Sequence, residues 1–241
     1  MSVRAEMTER LNADLQIDPA RTAVIAIDTH RGHLDPEIAT MPVAADIAAD
    51  VVAASARLLA GARAVGIPTA FVVMNNRIVR GESENLHNPF WHAVESARQS
   101  LTPELPSTIS GHNLVGSPGT EVMPELAPGP DDYIINSKHR LSSWLGTELE
   151  SWLQILEIDT VLLIGINTNT CVQCAAFEAF NRDYKTIVVS DCVHSMYGAD
   201  LHDFGLENVA RCIGWVLSTD EVLDKLGTST ATTAVPAASA A

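Results

Sequence analysis

VLLIGINTNTCVQC, residues 161–174, reads as a buried strand that runs into a polar turn and then into a helix. Val161 to Ile166 are apolar apart from Gly165, and a strand with no polar face is one covered by helices on both sides, as in a parallel sheet. Asn167, Thr168, Asn169 and Thr170 make the polar turn, and Cys171 opens the apolar segment CVQCAAFEAF. A cysteine at a helix start faces unpaired backbone N–H groups and the positive end of a helix dipole, which favour the thiolate. The expectation is a nucleophile at Cys171.

Outward from this stretch, strand and helix alternate. TAVIAID (22–28) reads as a first strand with Asp28 at its exit, and apolar residues at helical spacing from Val43 to Val65 predict a long amphipathic helix ending at Gly66. IPTAFVVM (67–74) is a second buried strand, followed by the loop NNRIVRGES and a short helix near 90–99. Residues 100–132 hold six of the twelve prolines and are expected to be mostly irregular. YIINSK (133–138) is a third strand with Lys138 at its exit, and Thr147 with Glu150 forms a T-x-x-E capping box for a helix starting near 148. After the fourth strand and its helix come a fifth strand at 185–191, a helix at about 200–214, a sixth strand at 215–219 and a last helix to Leu226. The pattern is α/β, a doubly wound three-layer αβα sandwich, with a polar arm at 1–20, one domain at 21–227 and a disordered tail at 228–241. Ligands of such sheets bind beyond the carboxyl ends of the strands, where Asp28, Lys138 and Cys171 all fall. A carboxylate, an ammonium and a thiol on one sheet edge make a base, an electrostatic tuner and a nucleophile.

Composition narrows the partners. With 30 acidic and 15 basic residues the formal charge is -15, which argues against nucleic acid or an anionic membrane. No apolar run reaches the roughly 20 residues needed to span a bilayer, and the first residues lack a signal-peptide core, so a cytoplasmic protein is expected. Four cysteines in 241 residues do not make a disulfide framework.

AVIAIDTHRGHLD, SPGTEVMPEL, KHRLSSWLGTEL and GINTNTCVQCAAFEAFNRDYKTIVVSD resemble the isochorismatase-like cysteine hydrolases, a family that includes nicotinamidases, N-carbamoylsarcosine amidase, and ureidoacrylate and biuret hydrolases. The resemblance spans roughly residues 20–220. Its most specific parts are Lys138 with Ser142, Trp144, Thr147 and Leu149, and the turn of Gly165, Thr168, Cys171 and Val172. It implies six parallel strands in the order 3-2-1-4-5-6, Cys171 as nucleophile, Asp28 as proton acceptor and Lys138 as the group that holds the pair ionised. It also implies a cis peptide between Ile166 and Asn167 that sets the Asn167 N–H beside that of Cys171 as an oxyanion hole. The cysteine points to C–N cleavage in a small amide, ureide or carbamoyl substrate, and relatives of this kind are usually homodimers or homotetramers. No cofactor is implied. Nicotinamidases hold a metal in the loop after the second strand, but VVMNNRIVRGES lacks their D-x-H pattern, so no metal is expected.

Other arrangements compete. Cys171 and Cys174 form a C-x-x-C at a helix start, as in thiol redox proteins, although the helix face beyond Cys174 would bury it. Cys171, Cys174, Cys192 and His194 have zinc-ligand chemistry without a usual knuckle spacing. A non-catalytic binding module of the same fold is the third alternative. Among substrate contacts, Asn76 and Arg77 leave the second strand on the correct edge, Arg77 being either a partner for a substrate carboxylate or carbonyl, or a solvated loop arginine. Trp144 is a pocket wall or a core residue, and Arg31, His33 and Tyr197 lie in loops near strand exits. Specificity is expected in the loops at 29–42, 75–90 and 100–132.

Overall fold

The computed structural model describes residues 3–104 and 108–228. Its centre is a six-stranded, all-parallel sheet of β1 (Thr22–Ile27), β2 (Thr69–Met74), β3 (Tyr133–Lys138), β4 (Thr160–Ile166), β5 (Lys185–His194) and β6 (Trp215–Leu217). The order is β3-β2-β1-β4-β5-β6. This is the order the family resemblance implied. The reversal of winding falls between β1 and β4, so the exits of these two strands face one crevice.

Every residue of β1, β2 and β4 is buried. Alternate residues feed two separate cores. Val24, Ala26, Leu162 and Ile164 pack with Val51, Leu58 and Leu59 of α2 (Ala45–Ala64) and with Val222 of α7 (Thr219–Lys225). On the other face Ala23, Ile25, Val161 and Leu163 meet Leu149 and Leu153 of α4 (Leu149–Ile155), Ala175 and Ala176 of α5 (Gln173–Phe180), and Val209 of α6 (Ala199–Cys212). The period of two in the strands therefore serves two helix layers, which is why these strands show no polar face.

Several elements differ from expectation. The N-terminal segment expected as an arm is a helix, α1 (Val3–Asp14), with no buried residue; Asn12 donates to the Val216 carbonyl at 3.1 Å and the Trp215 indole donates to the Leu11 carbonyl at 3.2 Å. NNRIVRGES contains a two-residue-stranded hairpin, Ile78–Val79 against Glu82–Ser83, turned by Arg80 and Gly81, both at positive φ. The Thr147–Glu150 capping box does not form: the Glu150 carboxylate instead accepts the Trp144 indole N–H at 2.7 Å. A capping box does form at Ser218 and Glu221, at the start of α7. The short helix expected near 90–99 is present as α3 (Pro89–Leu101), and the segment after it is irregular as expected, its described residues holding two 3-10 turns, Pro118–Thr120 and Pro124–Leu126, and isolated bridges at Leu114 and Val122. The expected tail falls, apart from Thr228, outside the described residues. Among the described residues no helix is long and apolar enough to cross a membrane.

Gly165 lies where the backbones of β4 and β1 come too close for a side chain. Its φ is +120°, and a Cβ there would lie 1.8 Å from the Ile27 carbonyl oxygen of β1. At Gly66, where α2 ends, φ is +77° but nothing lies within 4 Å of the added carbon. Gly66→Ala is expected to cost about 1–2 kcal/mol through backbone conformation alone, whereas Gly165→Ala is expected to cost at least about 3 kcal/mol because the β1–β4 pairing must also shift. Urea denaturation midpoints of the two variants test this, and equal losses would refute the close-approach account.

Candidate active site

Asp28 follows the last residue of β1, Lys138 ends β3 and Cys171 lies just beyond β4. Asp28 and Lys138 are fully buried and Cys171 is 3% exposed. β3 is two strands away from β1, so with strands about 4.8 Å apart the lysine must reach across β2 to meet the aspartate. It does so. The Lys138 ammonium lies 2.5 Å from Asp28 Oδ2 and donates to Cys171 Sγ at 3.4 Å. Between them the Met74 backbone N–H donates to Asp28 Oδ1 at 2.8 Å. Asp28 has a φ of +52°, and its own N–H donates to the Val72 carbonyl, so the turn out of β1 is held from β2.

Cys171 does not sit at the first turn of an α-helix. Thr168–Val172 form a π-helical turn that precedes α5, and the Ile166–Asn167 peptide before it is cis. Three of the turn's four polar residues are held from neighbouring elements. Asn167 Oδ1 accepts the Met196 N–H at 2.9 Å, Asn169 Oδ1 accepts the Ser195 hydroxyl at 2.7 Å, and Thr168 Oγ1 lies 2.8 Å from His202 Nδ1. Gly205 lets α6 approach this turn, for a Cβ there would come within 3.0 Å of the Thr168 methyl.

The electrostatics correct the expectation of a resting thiolate. Burial drives the Cys171 thiol up, and the Asp28 charge adds to burial against the opposing pull of Lys138, so its pKa rises to about 12. Burial alone would raise the Asp28 carboxyl, but the Lys138 ammonium and the nearby His30 ring outweigh it and hold the group below the usual carboxylate range. Lys138 is raised despite burial, by Asp28 and Cys171. The resting state is a thiol beside a carboxylate and an ammonium.

A cavity of about 530 Å³ opens onto Cys171, Asn167 and Thr170. Of the expected substrate contacts, His33 and Tyr197 line it. The others do not. Arg77 is held by Glu84 at 2.9 Å, and Arg31 by Asp35 and Glu121. Asn76 is fully buried and ties its loop to His112 and Asn113. Trp144 packs in the core beside Tyr184, with the Arg182 guanidinium over its ring. Residues missed from sequence include Met74, Phe90, Trp91, Val94 and Arg140, which line the cavity. Met74 reads as the end of a buried strand and Phe90, Trp91 and Val94 as positions of a short helix, and nothing in the local pattern marks any of them as facing a cavity. A larger groove of about 820 Å³ beside α1 shares no lining residue with this cavity.

His30 was also missed, although it lies two residues past Asp28. Its Nε2 is 3.7 Å from Asp28 Oδ1, and it is fully buried. His30 stacks on His33, which in turn meets His112, with ring centroids 5.1 and 4.8 Å apart. Burial and the neighbouring His30 bring His33 down to about 4, and burial with His33 holds His112 well below its ordinary value, so both are neutral near pH 7. Cys171 and Cys174 are free thiols. Cys192 packs in the core on the opposite face of the sheet from Cys171, beside Thr219, so the two cannot share a zinc ion. Among the described residues no three His, Cys, Asp or Glu side chains are grouped to hold a metal.

The chain is similar to known proteins over most of its length. The ureidoacrylate amidohydrolase of Methylobacterium radiotolerans is 30% identical over 207 residues, covering 84% of this chain and 78% of that protein. The crystal structure of a cysteine hydrolase from Pseudomonas syringae pv. phaseolicola superposes with a TM-score of 0.68 at 26% identity, over 89% of this chain and 96% of that one. N-carbamoylsarcosine amidase from Thermoplasma acidophilum shares the fold, with a TM-score of 0.64 at 24% identity over 83% of this chain and 97% of that one. The family model described as the isochorismatase domain matches residues 22–221, and the chain belongs to that family.

Proposed function

We propose that this protein is a cysteine-dependent amidohydrolase that cleaves a C–N bond of a small amide, ureide or carbamoyl substrate through a thioester. The observation that carries the proposal is the single ammonium, Lys138, bonded to both the Asp28 carboxylate and the Cys171 sulfur in a fully buried site. The amidohydrolase name of the Methylobacterium relative supports the reaction class.

The charges set the order of events. Because the resting thiol holds its proton up to about pH 12, transfer to Asp28 proceeds together with attack of Sγ on the carbonyl carbon. The negative charge then moves from Asp28 to the carbonyl oxygen, and Lys138 stays protonated throughout. The oxyanion is received by the backbone N–H groups of Asn167 and Cys171. Collapse of the tetrahedral intermediate breaks the C–N bond, and Asp28 returns its proton to the leaving amine. Asp28 then deprotonates a water, which attacks the thioester and releases the acid and the thiol.

Cys171→Ala is expected to lower kcat by at least about four orders of magnitude while leaving the far-ultraviolet circular dichroism unchanged, as read by ammonia release from a panel of small amides and ureides. Turnover retained in this variant would eliminate the cysteine mechanism. The thiol itself provides a second check. Since the Asp28 charge raises the Cys171 pKa, Asp28→Asn should titrate its thiol at lower pH than the wild type, measured as thiolate absorbance with Cys171→Ala subtracted as background. A thiol that titrates at the same or higher pH in Asp28→Asn would show that the carboxylate is not coupled to the sulfur.

A further inference from the structure

The helix α3 has an apolar face that the two cores do not use. Phe90, Trp91 and Val94 lie on one side of it, and none belongs to either hydrophobic core cluster; its one buried residue is Glu95. An amphipathic helix ordinarily turns such a stripe into the core. Here the three side chains line the cavity that ends at Cys171. Ile109, Leu141 and Leu201 contribute to the same lining from other segments.

Charge narrows the occupant further. Among the described residues no aspartate or glutamate lines the cavity, in a chain whose formal charge is -15, and Arg140 lies on its wall. The Arg140 guanidinium donates to the His139 carbonyl at 2.6 Å and enters no ion pair among the described residues. A cationic substrate would find no carboxylate there and would meet the like charge of Arg140. The volume of about 530 Å³ falls in the range of roughly 300–1,000 Å³ that accommodates drug-sized ligands, so a bare urea or acetamide leaves most of it to water.

We infer that the substrate is an amide or ureide, neutral or anionic, that carries an apolar alkyl or aryl group, and that the Phe90–Trp91–Val94 face of α3 is the subsite for that group. The inference rests on the amidohydrolase proposal for the location of the scissile bond. Placing the C–N bond at Cys171 points the remainder of the molecule along the cavity toward α3. Binding energy gained there is available to position the carbonyl against the thiol.

The test uses two homologous series, primary amides from acetamide to hexanamide and 3-phenylpropanamide, and monosubstituted ureas from methylurea to phenethylurea. Ammonia release from the full-length enzyme gives kcat/KM, and calorimetry with Cys171→Ala gives Kd for the same compounds without turnover. Each added methylene is expected to raise kcat/KM and tighten Kd roughly fourfold until the wall is filled, on the order of a hundredfold across the alkyl series. Trp91→Ala, checked for folding by circular dichroism, should reduce the ratio between the longest and shortest members at least tenfold. Amines of matched length, such as 6-aminohexanamide, should bind no better than acetamide. Turnover of short members with no gain along the series would overturn the subsite and leave the amidohydrolase proposal standing. Absence of turnover in both series, with Kd still tightening in Cys171→Ala, would support the subsite and count against the reaction. A flat Kd combined with loss of a dimer in Trp91→Ala by light scattering would assign the α3 face to a second copy and overturn the inference.

Discussion

Everything at the sheet edge depends on the buried ion pair between Lys138 and Asp28. Both side chains are fully buried, and removing two such ions from water costs several kcal/mol each before any attraction is counted. Burial of this kind is weak evidence for stability, because apolar residues of similar volume would fill the space at less cost. The pair persists in a geometry where each member is also bonded elsewhere. Met74 N–H serves one carboxylate oxygen, Lys138 the other, and the ammonium has the Cys171 sulfur as a second acceptor. An ion pair that spans two strand spacings and ends on a thiol has its explanation in chemistry rather than in folding.

Much of this was legible in the sequence because each element obeys a short-range rule. Continuous apolar runs marked the buried strands, and the helical spacing between them marked a parallel crossover, so the strand order followed once a family resemblance chose among the possible windings. The three candidate residues were visible since Asp28 and Lys138 end strand-like runs and Cys171 opens the helical segment after another. Legibility failed where the rule was local but the outcome was decided elsewhere. Glu150 has the correct spacing from Thr147 for a cap, yet the Trp144 indole and the Arg182 guanidinium claim its carboxylate. Arg77 has the charge and the strand exit for a substrate contact, yet Glu84, brought back by a hairpin that looked like plain loop, neutralises it first.

The thiol shows the same limit in electrostatic form. A helix start does favour a thiolate, and so does an ammonium such as Lys138; from sequence these were the influences that stood out. Burial is not legible there, nor is how closely the Asp28 carboxylate approaches the sulfur. In the folded protein both raise the thiol, with Lys138 opposing them. A site that kept its sulfur ionised would hold two anions, Asp28 and the thiolate, against one ammonium in a dry interior. Holding the proton on sulfur leaves one anion and one cation, and in the proposed reaction negative charge arises on the substrate oxygen only as Asp28 becomes neutral. Under that proposal the site carries the same net charge before attack and at the tetrahedral stage, which is the condition under which a low-dielectric pocket imposes least penalty on a reaction.

That balance explains why the two halves of the cavity are built from different kinds of segment. The charge-bearing half is fixed by the sheet, where β1, β3 and the turn after β4 hold Asp28, Lys138 and Cys171 against backbone donors and acceptors. The other half comes from α3 and the irregular chain around it, and it needs only to be apolar and to exclude carboxylates that would compete for Lys138. A stray acid near the ammonium would weaken its hold on Asp28 and Cys171, and among the described residues no acidic side chain lines the cavity, which fits both the proposed chemistry and the proposed occupant. Variation in α3 can thus change what enters without disturbing the charge balance at the sheet edge.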